Sequence, residues 1–175
     1  MRKFSFVLSF LTATFYFILA SLVEYSETAK EVFSTLMLFL PGLTFPLAST
    51  NLYSKFPNIN PILLITHCFC SILIYHGAVW AYSAEQEYFL MPLVGGFAGS
   101  FAYSIVTILL LKAPLEKSNV MLAALASGLV FIPYLSFHNM IALGFALFSW
   151  TMINWFIIER KRTITNVVLT KYGQL

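Results

Sequence analysis

Six stretches of near-bilayer length, none with an Asp, Glu, Lys or Arg at its centre, divide this chain almost end to end: 4–23, 32–50, 61–82, 89–111, 119–137 and 139–158. A helix rises about 1.5 Å per residue and the hydrocarbon core of a bilayer is about 30 Å thick, so roughly 20 uncharged residues suffice to cross it. Inside lipid each backbone N–H and C=O needs a partner within the protein, which a helix supplies from its own turns. The pattern predicts an all-α polytopic membrane protein, a six-transmembrane-helix bundle. Composition agrees: 59% of the 175 residues are apolar and 10% charged, against about 25% charged in soluble domains. Mean hydropathy is +0.83.

Two places in this pattern need separate argument. The fifth and sixth runs are joined only by Phe137, His138 and Asn139; one helix of about 40 residues would greatly overspan the bilayer, and Pro133 favours a break. The first run follows Arg2 and Lys3, as a secretory signal does, but its apolar stretch is long for such a signal and no Ala-x-Ala site follows. It is read as a retained helix.

Orientation follows from the basic residues of the short loops. With the N-terminus inside, Arg2, Lys3, Lys55, Lys112, Lys117, Arg160, Lys161, Arg162 and Lys171 are all cytoplasmic, and only Lys30 is outside. Both termini are therefore expected in the cytoplasm. Tyr25, Trp80, Tyr82 and Tyr88 form the expected outer aromatic belt, with Tyr53 and Trp155 towards the inner interface. Residues 1–158 are read as one transmembrane domain and 159–175 as a basic cytoplasmic tail. Within the tail, 163–170 is β-prone and is expected to be extended or disordered.

The second run contains Gly42-Leu43-Thr44-Phe45-Pro46 and the fifth Gly128-Leu129-Val130-Phe131-Ile132-Pro133. Both read Gly-Leu-x-Phe followed by Pro, each in the middle span of its half. Three spans per half would set the halves in opposite directions, a 3+3 inverted repeat of the kind many transporters use. Proline removes a backbone hydrogen bond, so kinks or unwinding are expected near Pro41, Pro46 and Pro133. Unwound carbonyls there, with Gly42, would line a substrate site, although lipid-embedded helices also tolerate such kinks without function.

The polar residues inside the spans are the remaining candidates. His67 and His76 lie in the third run, and ionisable groups in lipid face the bundle interior or a cavity. Nine residues apart, they fall on opposite faces of a helix and cannot act together. His67 and Cys70 share a face at a spacing of three, but two ligands do not make a metal site, and no metal or cofactor is expected. Asn154, with Thr151 one turn earlier, suits an interhelical hydrogen bond or a substrate contact. Gly95 and Gly99, with Gly96 and Ser100 alongside, form a small-residue stripe for close helix packing, within the chain or as the seam of a homodimer.

Absences exclude whole classes. The chain has no Asp, and no span carries a central Glu, Lys or Arg. A carboxylate proton relay, an aspartyl intramembrane protease, a voltage sensor and an acidic metal cage all need such charges. Gly-x-Ser-x-Gly, His-Glu-x-x-His, Cys-x-x-Cys and phosphate-binding glycine loops are missing too. An enzyme is therefore not expected, and nothing points to nucleic acid. The expectation is a small carrier or solute-binding membrane subunit for a neutral or apolar molecule, in a cell membrane such as the inner membrane of a bacterium, with the lipid bilayer and a homodimer or larger membrane protein as its partners. The plan of six helices with both ends inside resembles the substrate-binding subunits of vitamin transporters, a likeness of architecture alone. The alternative is a non-transporting interaction protein: an accessory subunit, a toxin-immunity protein or a membrane-perturbing effector. A carrier predicts a polar-lined cavity about halfway across the bundle, touching Pro41 to Pro46, Pro133, His67 or Asn154, whereas an interaction protein predicts tight packing there.

Overall fold

In the computed structural model, which describes residues 2–37, 40–49, 60–83, 90–113 and 115–172, every regular element is a helix. There are eight among these residues: α1 Arg2–Val23, α2 Glu27–Leu36, α3 Leu40–Ser49, α4 Pro61–Ser83, α5 Met91–Leu111, α6 Lys117–Leu129, α7 Ile132–Phe137 and α8 Met140–Tyr172. Four stretches are long and apolar enough to cross a membrane: Phe6–Val23, Pro61–Trp80, Met91–Leu111 and Lys117–Phe137. A fifth apolar stretch, Met140–Phe156, is shorter. The loop residues Tyr53, Lys55, Glu85, Glu87 and Tyr88 lie outside the described residues.

The expected second span falls in two described helices, with residues 38 and 39 between them outside the described residues. Its first turns belong to α2, which starts upstream at Glu27 and has no buried residue, while its proline-rich half forms α3, with Pro46 inside it. Ser26 caps α2, its hydroxyl accepting from the Ala29 amide at 3.3 Å, and Lys30 meets Glu27 at 3.7 Å on its exposed side. The expected fifth span bends at Val130 and Phe131, where the Phe131 amide donates to Gly128 three residues back, at 3.1 Å. Pro133 explains this bend: it has no N–H for the carbonyl four residues earlier and its ring crowds the preceding turn. His138, with φ 49°, turns the chain between α7 and α8, so the fifth and sixth runs are separate helices. The two Gly-Leu-x-Phe words differ in setting, since the first break precedes Gly42 and the second follows Gly128. Gly42 packs on α4 but Gly128 on α5, whereas an inverted repeat that paired span two with span three would pair span five with span six. The geometry gives the duplication no support.

The tail departs from expectation. The helix that begins at Met140 runs without interruption to Tyr172, about 50 Å at 1.5 Å per residue. Glu159, Arg160, Lys161 and Arg162 are good helix formers, and they carry the helix past the apolar stretch into 163–170. The β-branched residues there extend a helix already formed, which avoids the cost of a new nucleus.

Neighbour contacts close the helices into a ring, α1 against α3, α3 against α4, α4 against α5, α5 against α6, α6 against α8, and α8 back against α1. α1 and α8 are antiparallel: the Met140 amide donates to Glu24 Oε1 at 2.9 Å, and at the other end the Phe6 and Trp155 rings meet at 5.1 Å. The Glu24 end is called the upper end below.

Burial differs from that of a soluble domain, with large apolar residues on the outside and many polar residues among those inside. Ile62, Ile65, Phe69, Leu73 and Trp80 make an exposed apolar stripe on α4, and Val94, Phe101, Ile105 and Leu109 another on α5. Ser9, His67, Ser71, Ser100, Ser104, Thr107, Ser127, Thr151 and Asn154 are all buried. Water would not tolerate so much exposed apolar surface, whereas lipid is as apolar as leucine and leaves polar contacts and close packing to hold the helices. The chain is a membrane helical protein by this pattern as well as by helix length.

Candidate functional site

Within the ring lies a cavity of about 300 Å³ lined from six of the eight helices, all but α6 and α7, and by Phe131 at the α6–α7 bend. Its upper part is bounded by Phe33, Ser34 and Met37, its walls include Pro41, Gly42 and Pro92, and Tyr103 and Ser71 mark its lower reach. Trp150 and Thr151 close it from α8. The lining expected to be polar is instead overwhelmingly apolar, and it holds no charged side chain. Its volume lies at the lower end of ordinary small-molecule pockets, about 300–1,000 Å³.

Proline and glycine shape the walls. A Cβ on Gly42 would lie 2.7 Å from the Ile72 Cα, so only glycine lets α3 approach α4 this closely. Pro41 begins the same wall, next to the break between α2 and α3. Among the expected site residues, Pro41, Gly42 and Thr151 do line the cavity, while Pro46, Pro133, His67, His76 and Asn154 do not. Thr151 donates to the Leu147 carbonyl at 2.8 Å, which leaves only its lone pairs for a ligand.

Asn154 is a tie between helices instead of a ligand contact. It is 1% exposed, accepts from Ser100 Oγ at 2.7 Å, and donates to Ser127 Oγ at 3.0 Å and to the Trp150 carbonyl at 2.9 Å. Both of its amide hydrogens are thereby used. The bonds join α8 to α5 and α6 in the middle of the bundle. Gly95, Gly96, Gly99 and Ser100 are all buried within the chain: a Cβ on Gly96 would meet the Ser127 carbonyl and the Phe131 ring, and one on Gly99 would touch Ala78 at 3.4 Å. The stripe therefore faces this chain's own helices and not a second copy.

His67 lies just below the cavity, fully buried, its ring edge-on to Tyr103 at 5.4 Å. Its Nε2 is 2.9 Å from Thr107 Oγ1. The Thr107 hydroxyl donates its single hydrogen to the Tyr103 carbonyl at 2.7 Å, so it can only accept from the imidazole, and the network assigns the proton to Nε2. Nδ1 is left as a buried acceptor without a partner among the described residues. His76, half-buried on another face of α4, has its ring 5.8 Å from that of Tyr75.

Sequence reasoning missed Ser71, Tyr75, Tyr16, Tyr103 and Trp150. The first two carried a visible signal, because His67, Ser71 and Tyr75 recur every four residues and so share one face of an otherwise apolar helix. Tyr16 and Trp150 carried none, being aromatic residues in aromatic-rich spans. The Tyr16 hydroxyl donates to Thr44, whose own hydrogen goes to the Leu40 carbonyl at 2.7 Å. Trp150 Nε1 donates to the Gly96 carbonyl at 3.2 Å. No protein family model, characterised protein or solved structure matches this chain, so the likeness in plan to vitamin-transporter subunits gains no support from comparison.

Proposed function

We propose that this chain is a small membrane carrier, or the solute-binding subunit of one, for a neutral or apolar small molecule, crossing the bilayer six times with both ends in the cytoplasm. The observation that carries the reading is the uncharged cavity inside the helix ring. A tightly packed interior would have favoured an interaction protein, since a cavity costs stability that ligand binding can restore. The cavity's location also fits: it is bounded by the broken α2–α3 segment, and broken helices at a binding site recur in carriers.

Six crossings follow if α2–α3 and the apolar start of α8 supply the two beyond the four long stretches. The antiparallel pairing of α1 and α8 supports termini on one side, and the basic residues at both chain ends support the cytoplasm as that side. Single cysteines placed at positions 2 and 172, in a chain with Cys68 and Cys70 replaced by Ala, should both resist a membrane-impermeant thiol reagent in intact cells and both react once the cells are opened. Labelling of one terminus alone in intact cells would overturn the six-crossing arrangement.

The functional reading is tested by native mass spectrometry of protein released from mild detergent. An uncharged small-molecule adduct is expected on the wild-type chain, and its loss in a variant with the cavity filled by Ile74→Phe and Leu147→Phe. Equal spectra of the two, with no adduct on either, would count against a solute site and favour the interaction protein.

A further inference from the structure

The cavity is nearly all apolar, yet its few polar side chains are not equivalent. Tyr16 donates to Thr44, Ser34 to the Glu31 carbonyl at 2.9 Å, Trp150 to Gly96 and Thr151 to Leu147. Ser71 and Tyr75 also line the cavity, and neither hydroxyl donates to a described residue, in contrast to the others just named. They stand one turn apart on α4, a spacing that sets their Cβ atoms about 6 Å apart on one face. Ser71 is 5% exposed, so water reaches it little, and a serine in a helix ordinarily returns its hydrogen to the carbonyl four residues back. Neighbouring serines and threonines do so here, Thr66 to Ile62 at 2.8 Å and Thr107 to Tyr103 among them.

An unused hydroxyl in an apolar cavity has a cost that a ligand oxygen would remove. From this juxtaposition we infer that Ser71 and Tyr75 form the polar end of the site, gripping one uncharged oxygen, a carbonyl or hydroxyl, of a ligand whose apolar body lies against Ile74, Leu143, Leu147 and Trp150. The inference rests on the solute-binding reading and adds the ligand's chemistry to it. A carboxylate, phosphate or ammonium head is disfavoured, because no charged side chain lines the cavity to repay its desolvation. A pure hydrocarbon would fill the space but leave both hydroxyls unpaired. Neither Ser71→Ala nor Tyr75→Phe removes a hydrogen bond within the described protein, so the double variant should fold as the wild type does.

The test uses three ten-carbon probes carrying a bromine at the far end: 10-bromodecanol, 1-bromodecane and 10-bromodecanoate. Bromine quenches indole fluorescence on contact, and Trp80→Phe with Trp155→Phe leaves Trp150, in the cavity wall, as the reporter. In lipid nanodiscs, saturable quenching is expected with the alcohol binding about tenfold tighter than the alkane and the carboxylate, two hydrogen bonds to neutral groups accounting for a factor of that order. Ser71→Ala with Tyr75→Phe should bring the alcohol down to the alkane and leave the alkane unchanged. Saturable binding of alcohol and alkane with equal affinity, insensitive to the double variant, would overturn the polar grip while leaving the solute site standing. Tightest binding by the carboxylate would overturn the uncharged head. Quenching that never saturates, and is the same after Ile74→Phe and Leu147→Phe, would overturn the site and the inference together.

Discussion

Gly96→Ala is expected to destabilise the bundle by about 3 kcal/mol, the upper range for an added methyl group in a packed core, whereas Gly77→Ala should be neutral or stabilising by up to about 1 kcal/mol. The two substitutions have the same chemistry and both fall inside helices, so their difference isolates packing. At Gly96 the new Cβ would lie 2.7 Å from two atoms of the Phe131 ring and against the Ser127 carbonyl, which is backbone and cannot swing aside. At Gly77 nothing lies within 4 Å. The clash forces α5 away from α6 at the bend ahead of Pro133, and it would strain the Trp150 bond to the Gly96 carbonyl as well. Reversible unfolding in mixed micelles measures both values. Equal stabilities for the two variants would show that α5 and α6 do not meet as described.

Asn154→Leu is the second large effect, an expected loss of about 2–3 kcal/mol, from interhelical hydrogen bonds worth about 0.6–1.7 each in a membrane and the hydroxyls left unpaired. Leucine has the same branched heavy-atom skeleton as asparagine, so no cavity forms on substitution. The decisive measurement is a double-mutant cycle with Ser100→Ala, because Ser100 donates to Asn154 Oδ1 at 2.7 Å in a fully buried setting. Removing the serine hydroxyl should cost about 1 kcal/mol in the wild-type chain and little once Asn154 is leucine. An unchanged cost in both backgrounds would mean that the two residues do not interact. Because Asn154 does not line the cavity, probe affinity should follow Ser71 and Tyr75 and be much less sensitive to Asn154 in the fraction that remains folded.

These two residues also separate what was legible from what was not. The Gly95–Ser100 stripe announced close packing, because small residues at a spacing of three and four on one helix face have that use in lipid. Its partner was hidden: sequence spacing describes one helix, while the choice between α6 and a second copy depends on how several helices fit at once. Asn154 likewise announced a hydrogen bond across helices, but Ser100 and Ser127 are 54 and 27 residues away in the chain. No local pattern connects them.

The same reasoning applies to the cavity. Pro41 and Gly42 were visible as helix-weakening residues, and they are walls of the site. The break itself was harder to position, because the uncharged run from 32 onward hides that Glu27 to Leu36 has its own cap, its own polar face and no buried side chain. A hydropathy window averages over that change. Ser71 and Tyr75 stood in the sequence at helical spacing, yet they stood out only when Tyr16, Ser34, Trp150 and Thr151 along the same cavity had been given their partners.

The sequence by itself determined that the chain is helical and lives in lipid. Uncharged runs of bilayer length favour helices, which satisfy the backbone from their own turns. Tertiary structure decided which helices adjoin, that the ring leaves a space of about 300 Å³ within it, and which side chains line that space. The reason is physical. Solvent preference acts on each residue separately and can be read along the chain, whereas a cavity is the volume left over when side chains from distant segments fail to fill the space between them.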